Sequence, residues 1–348
     1  MKINQVKEMV QYLQQQIGIL IATRNILDAK EKEKMIRNIN NLMQQSQTEV
    51  TDLVSEELAK EYQQELTSAI TSLNVKGIKF STSLDSIVHQ GALEYLLQDT
   101  MLDLNAAYRT ANKRLINNID ATLDNVKQDI ADGVMYGNTR KKTVKRVYDD
   151  FLEKGMTSFT TVDGKELPLD FYAETVTRTK TSTARIQAHS NTYEEAGVNL
   201  VEVVGASDPC PICGSYHNIV FSTDGKDDRF PHVDVQNIFP LHPNCRCSII
   251  PYVVDFEEQA DIDAKIKKGK QFDPSKDSRT EKQKKEYKEM QEARRKARQE
   301  MKQYDKIKGV LGDDAPKTLG AYRRMKRSKS KRYQEIQTQM RSLNKNNG

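Results

Sequence analysis

The four cysteines of this chain are concentrated in two short segments. Cys210 and Cys213 form a C-x2-C motif, and Cys245 and Cys247 follow His242 within the segment 242–247. Cysteines that served only as small buried apolar residues would be scattered over the 348 positions. Thiolates and imidazole nitrogens at this spacing are the donor set of structural zinc sites. The sequence therefore predicts one structural Zn²⁺ that joins two distant loops.

Five candidate ligands compete for the four positions of a tetrahedral zinc site. Cys210 and Cys213 are the first pair, and the spacing of His242 and Cys245 matches theirs. Cys245 with Cys247 is the alternative second pair, which would leave His242 outside the coordination sphere. In an extended segment these two side chains point to opposite faces, so both on one ion require a bend. Disulfide or redox use also stays open, although the N-terminus carries no secretion signal.

The remaining histidines are not at zinc-knuckle spacing. We expect His217 and His232 to be exposed loop residues, and His89 and His189 to be surface or hydrogen-bonded core residues of helices. The first C-x2-C matches half of the nucleic-acid deaminase signature, but the H-x-E half is missing because 189–191 reads His-Ser-Asn. There is also no H-E-x-x-H and no G-x-S-x-G motif. We therefore expect no enzymatic activity.

The elements that must position these loops are indicated by proline placement and apolar period. The first proline is Pro168, and a proline costs about 3 kcal/mol inside a helix. Residues 1–138 are accordingly predicted to form an elongated helical region. Its apolar residues recur at helical spacing: Met9, Leu13, Ile17, Leu20; Met35, Ile39, Leu42; Leu66, Ile70, Leu73; and Leu97, Met101, Leu104, Tyr108, Ala111, Leu115, Ile119, Leu123, Val126, Ile130.

Further along the chain the predicted elements become shorter. Helices are expected over 139–154 and 170–195, the second one ending at Gly197. Short β-branched runs then predict strands at 200–204, 219–221 and 248–254. The predicted fold class is mainly α with a small α+β zinc-binding module, in which short strands surround the Cys/His site. The predicted regions are 1–138, a central region 139–255 with the zinc-binding module at 199–255, a linker at 256–275 and a tail at 276–348.

The C-terminal tail is strongly basic. Residues 276–348 contain 23 Lys and Arg against 10 Asp and Glu, so the whole-chain charge of +5 conceals an acidic remainder of the chain. The tail is predicted to be a charged helix or a partly disordered, solvated segment. Its densest part is the candidate contact to nucleic-acid phosphates or to an acidic protein surface: Arg323, Arg324, Lys326, Arg327, Lys329, Lys331 and Arg332.

Hydropathy argues against a membrane partner. The mean hydropathy is −0.73, and no apolar run approaches the ~20 residues that a transmembrane helix needs. The N-terminus also lacks the apolar core of a signal peptide. We therefore expect a protein that is made and used on the cytoplasmic side.

The order of motifs around the cysteines resembles a known family. A helix with Arg178-Thr179 ends at 194–198, the first cysteine motif lies in 207–213, Val220-Phe221 follows, and 240–247 reads Pro-Leu-His-Pro-Asn-Cys-Arg-Cys. This pattern is similar to the minor head proteins of tailed bacteriophages, the phage Mu F-like head morphogenesis proteins. The similarity covers roughly residues 140–255 and makes 139–255 the minor head protein core.

The resemblance implies a structural, non-enzymatic role. Such proteins are associated with the phage portal protein inside the head, after assembly in the host cytoplasm, and some accompany DNA during packaging or ejection. The implied partners are the portal protein, a scaffold or major capsid protein, and packaged double-stranded DNA. Lys180 occupies a position where many relatives carry an acid. This difference weakens the case for an enzymatic site on the helix that contains residues 178–180. The alternatives are a zinc-stabilised nucleic-acid-binding accessory protein and, less favoured, a zinc hydrolase or deaminase.

Overall fold

The computed structural model describes residues 3–23, 28–131, 158–160, 166–311 and 315–345. These residues form mainly helices, with two small antiparallel sheets. The helices are α1 (Ile3–Thr23), α2 (Ala29–Val75), α3 (Ile87–Ala131), α4 (Leu169–Glu195), α5 (Pro211–Tyr216), α6 (Val235–Ile238), α7 (Gln259–Lys270), α8 (Glu281–Leu311), α9 (Leu319–Arg327) and α10 (Lys331–Lys345). The strands are β1 (Ser158–Thr160), β2 (Glu166–Pro168), β3 (Leu200–Val204), β4 (Val220–Ser222) and β5 (Ser248–Pro251).

The first three helices and α4 share one hydrophobic core, to which each helix contributes one apolar face. The predicted stripes supply much of it: Leu13, Ile17, Met35, Ile39, Leu66, Leu104, Tyr108, Ala111, Leu115 and Ile119 are buried. Met101 is an exception, because it is 41% exposed on another side of α3. The stripe positions beyond residue 121 lie outside the side chains that the structure describes.

The predicted strands form a three-stranded antiparallel sheet in the order β4-β3-β5. Val201 pairs with Phe221 and Val203 with Ile249, so alternate β3 side chains point into a second core. That core also contains Ala69 of α2, so the sheet rests against the helices. The strand predicted at 248–254 ends at Pro251, and a 3₁₀ turn follows at Val254–Phe256.

The structure divides into two compact units, Met1–Arg279 and Thr280–Gly348. The first unit contains the predicted helical region and the strand module together, because α4 packs on α1, α2 and α3 while also contacting β5. The range 256–275, predicted as a linker, contains α7. The helix predicted at 139–154 lies outside the described residues.

A buried polar cluster fixes α4 to α2 and to β5. Glu65 of α2 accepts a hydrogen bond from Arg185 Nε at 2.6 Å, and its other oxygen lies 3.0 Å from His189 Nε2. The other ring nitrogen of His189 lies 3.0 Å from the carbonyl oxygen of Ile249. Since Ile249 follows the second cysteine segment by two residues, this cluster ties the candidate site to the helices.

His89 is the second buried histidine of the helices. It is fully buried, and its Nδ1 lies 3.0 Å from the hydroxyl of Tyr62. Both helical histidines are therefore hydrogen-bonded core residues, one of the two environments predicted for them.

The second unit is a small bundle of α8, α9 and α10. Tyr304, Ile307, Tyr322 and Ile336 form its buried centre. The described part of the tail is therefore helical, which agrees with the prediction of a charged helix. Across the described residues, no helix has the length and apolar character that a membrane span requires.

Candidate metal centre and cationic surface

The first cysteine loop has the geometry of a zinc knuckle. Cys210 is the N-cap of α5, and its sulfur accepts a hydrogen bond from the backbone N–H of Cys213 at 3.3 Å. Pro211 at the first helical position suits this tight start, because proline has no N–H to satisfy. Both sulfurs consequently lie on the same side of the turn.

The second loop presents His242 through a tight turn. The N–H of Cys245 donates to the carbonyl of His242 at 3.0 Å, and Asn244 adopts a left-handed conformation with φ 63°. His242 Nδ1 lies 2.8 Å from the carbonyl oxygen of Pro243. A carbonyl accepts only, so Nδ1 carries the proton and Nε2 presents its lone pair. That tautomer is the one a metal-binding histidine needs.

Two arginines hold the loops in place. Arg246, between the second pair of cysteines, forms an ion pair with Asp208 at 2.8 Å, next to the first pair. Arg279 donates to the carbonyl of Pro209 at 3.1 Å, and its side chain covers Gly214, where a Cβ would lie 2.4 Å from it. Residue spacing in the sequence does not indicate either contact.

All five predicted ligands meet at this point of the structure. His242 Nε2 lies 3.1 Å from the sulfurs of both Cys210 and Cys213, and Cys213 Sγ lies 3.6 Å from Cys245 Sγ. Cys213, Cys245 and Cys247 form a second, fully buried group. Cys213 belongs to both groups and is the centre of the cluster.

The donor set and its distances fit a tetrahedral thiolate-rich ion. Zn–S bonds of ~2.3 Å and Zn–N bonds of ~2.0 Å place two sulfurs ~3.8 Å apart and a sulfur and a nitrogen ~3.5 Å apart. The sulfur–sulfur distance of 3.6 Å is close to that geometry, and the sulfur–nitrogen distances of 3.1 Å are somewhat shorter. The four cysteines are free, and 3.6 Å far exceeds a disulfide bond of ~2.05 Å.

The buried thiols are electrostatically coupled. A hydrogen bond with Cys245 raises the pKa of Cys213, and the same bond lowers the pKa of Cys245. One thiolate is thus stabilised by its neighbour, whereas ionisation of all of them requires a cation. A divalent ion, if bound here, would supply that charge and release the protons.

Cys245 and Cys247 both point into the cluster. Their segment bends, which is the condition that placing both on one ion requires. His242 and Cys247 thus both remain candidates for the fourth position beside Cys210, Cys213 and Cys245.

His217 is half-buried rather than exposed as predicted. Its Nε2 lies 3.5 Å from Cys247 Sγ, and a Cβ on Gly205 would lie 2.3 Å from the same nitrogen. Burial lowers the pKa of His217, which keeps the ring neutral beside the sulfur. Its position four residues after Cys213 is the only sequence signal for this placement. His232 is exposed, as predicted.

Three of the seven predicted tail cations have a partner in the second unit. Arg323 pairs with Glu300 at 3.0 Å, and Lys326 donates to Gln303 at 3.0 Å, so both hold α9 against α8. Arg332 is exposed and pairs with Glu335 at 3.3 Å. The other four are exposed, and no acidic partner is recorded for them among the described residues: Arg324, Arg327, Lys329 and Lys331. We call these four residues the cationic turn, since they surround the 328–330 turn between α9 and α10.

With this geometry established, comparisons with known proteins define the class. The chain belongs to a family of bacteriophage minor capsid proteins. The model of the family described as phage minor capsid protein 2 matches residues 2–343, nearly the whole chain. This confirms the predicted phage minor capsid family and extends the similarity well beyond residues 140–255. Comparisons with curated proteins and with solved structures gave no match.

Proposed function

We propose that this chain is a structural protein of a tailed-phage head that sits beside the portal protein, with its Cys/His cluster closed by Zn²⁺. The observation that carries the proposal is the family match over residues 2–343. Minor capsid proteins are structural, so the metal serves stability rather than catalysis. The scaffold or major capsid protein is a further candidate neighbour within the head.

The cluster supports a closed metal site. Cys213, Cys245 and Cys247 are buried, and five donors surround a position that needs four. A catalytic zinc keeps one position open for water, which a surplus of thiolates opposes. Because the sheet core includes three of the cysteines, the metal would stabilise the packing of β3 and β5.

The metal proposal is tested by metal analysis and cobalt substitution. We expect about one zinc per chain. The Co²⁺-substituted protein should give the absorption spectrum of a four-coordinate site with mostly thiolate ligands, and small anions should not change that spectrum. A spectrum that shifts on adding azide would indicate an open, catalytic type of site and would contradict the proposal.

The portal proposal is tested by co-purification with the portal protein of the same phage. We expect the intact chain to co-purify with the portal and to be found in purified heads by mass spectrometry. The Glu56→Gln variant, altered on the exposed face of α2, is the matched control and should behave like the intact chain. Heads that contain the portal but not this chain would refute the role.

A second function, contact with packaged double-stranded DNA, is supported by the cationic turn. The structure shows no ion pair for its four side chains among the described residues, and all four belong to the segment 324–331 of a helical unit. Exposed Lys and Arg bind phosphates and release counterions, so affinity falls with salt. A nucleic-acid-binding accessory protein would use the same surface, but it would show sequence or structure preference.

Salt-dependent binding to duplex DNA tests this second function. Changing the cationic turn to glutamine should flatten the slope of log K against log salt by up to about 3.6, since each lost contact removes about 0.9. The matched control removes four exposed cations from α8: Lys285, Lys288, Arg295 and Lys296. Equal losses in both variants would mean that net charge, not this surface, binds DNA.

A further inference from the structure

α3 has a second apolar face that the hydrophobic core does not use. Ten large apolar side chains are exposed in the described part of the chain, and five of them lie between residues 87 and 102. They are Ile87 (88% exposed), Val88, Tyr95 (67%), Met101 and Leu102 (67%). We call this set the outer stripe. Such a concentration of exposed apolar side chains on one helix is typical of an interaction site.

The spacing of the outer stripe indicates that its partner is a helix. Val88, Tyr95 and Leu102 are seven residues apart, as residues at one of the two core positions of a heptad repeat are, and Gly91 and Gln98 occupy the other position. The opposite side of the same helix, with Leu96 and Leu104 buried, packs on the core. α3 therefore has one side packed in the core of this molecule and a second, partly apolar side without a partner among the described residues.

Gly91 lies in the middle of the outer stripe. Glycine within a helix is destabilising relative to alanine, and a Cβ at Gly91 would meet nothing within 4 Å. The fold of the single chain therefore gives no reason for a glycine here. A partner helix that approaches closely does, because the missing side chain leaves room for a large residue opposite.

We propose that the outer stripe pairs with the outer stripe of a second copy, antiparallel and about a two-fold axis. Antiparallel pairing centred near residue 93 brings Tyr95 opposite Gly91 of the second copy, and the symmetry repeats this contact. It also brings Ile87 and Val88 near Met101 and Leu102 of the second copy, so apolar ends meet apolar ends. Parallel pairing would instead place Tyr95 beside Tyr95 and leave a gap at the glycines.

Size and charge predict that this dimer is weak. The stripe is roughly 22 Å long and one helix, about 10–12 Å, wide, which is small against the ~800 Å² that each partner buries in a standard interface. Residues 80–108 contain four acids and no Lys or Arg; Asp99 and Asp103 pair with Lys180, so the charge that faces the axis is that of Glu94. Like charges on both copies oppose pairing, so salt should strengthen the dimer.

Sedimentation velocity of the full chain, freed of nucleic acid and in high salt, tests the proposal. We expect a monomer–dimer equilibrium between about 1 µM and about 100 µM. Gly91→Leu fills the space for Tyr95 and should weaken the dimer at least about tenfold, while thermal unfolding of the monomer stays unchanged or rises. Glu94→Gln should strengthen the dimer, because it removes the repulsion at the axis.

Val75→Glu is the matched control, because Val75 is 80% exposed and belongs to α2 rather than to the outer stripe. It should leave the equilibrium unchanged, whereas Leu102→Glu should weaken it. A chain that stays monomeric at the highest concentration would overturn the proposal. So would a dimer that is indifferent to Gly91→Leu, or one that Glu94→Gln weakens, because the two Glu94 side chains would then not repel each other across the axis.

Discussion

Replacing Glu65 by alanine is expected to destabilise the first unit by about 3 kcal/mol. The side chain of Glu65 is 16% exposed, and its loss leaves His189, which is 6% exposed, without its carboxylate. Breaking a buried ion pair costs about 3–5 kcal/mol. We expect a loss at the lower end of this range, because Arg185 is 34% exposed and still pairs with Glu61 at 3.3 Å in the variant.

Thermal unfolding at neutral pH measures this loss, and we expect a midpoint lower by about 6–12 °C. Glu56→Ala is the control on the same helix, since Glu56 is 63% exposed and pairs with Lys60 one turn away. That change should cost no more than about 0.5 kcal/mol. If the two variants lost the same stability, the cluster around Glu65 would not join α2 to α4 as argued.

The pH dependence of the stability of the fold is an independent test of the same cluster. Burial opposes ionisation of Glu65, but hydrogen bonds from His189 and Arg185 outweigh it and hold the pKa of the carboxyl below its usual range. A lowered pKa stabilises the fold above the unfolded value of about 4.3, and this contribution is lost as pH falls through the folded pKa. Glu65→Gln should therefore lose less stability than the intact chain on acidification from neutral pH to below about 4. Parallel curves would contradict the assigned hydrogen bonds.

Three further changes test other parts of the structure. Cys213→Ser should abolish stoichiometric metal binding, because Cys213 belongs to both donor groups, and metal analysis of the purified variant checks this. Tyr108→Phe should lower the free energy of unfolding in urea by about 1–2 kcal/mol. The buried hydroxyl of Ser46, which lies 3.0 Å from the hydroxyl of Tyr108, would lose its hydrogen-bond partner. Arg323→Gln should lower the stability of the second unit by no more than about 1 kcal/mol, because its pair with Glu300 is partly exposed. A retained metal, an unchanged urea midpoint or a fully unfolded second unit, respectively, would contradict these expectations.

Local pattern was sufficient for most secondary structure. The strand at 200–204 and the helix end before Gly197, which has φ +73°, follow from neighbouring residues alone. The helix over 259–270 was missed, because only Ile262 and Gly269 of it are buried and it has no clear apolar stripe. Three turns in which half of the residues are charged look like a linker in sequence, whereas in the structure they form a helix that packs against β4.

The sequence by itself determined the family and the five donors of the candidate metal centre, because cysteine and histidine are rare and their spacing within each loop is a local property. Only the tertiary structure decided that His217 lies against Cys247, that Arg323 is used for internal packing while Arg324 is exposed, and that α3 has a second apolar face. The physical reason is the same in each case. The type of a residue and its position on one side of a helix follow from the local sequence. What that residue contacts depends on which distant element packs beside it.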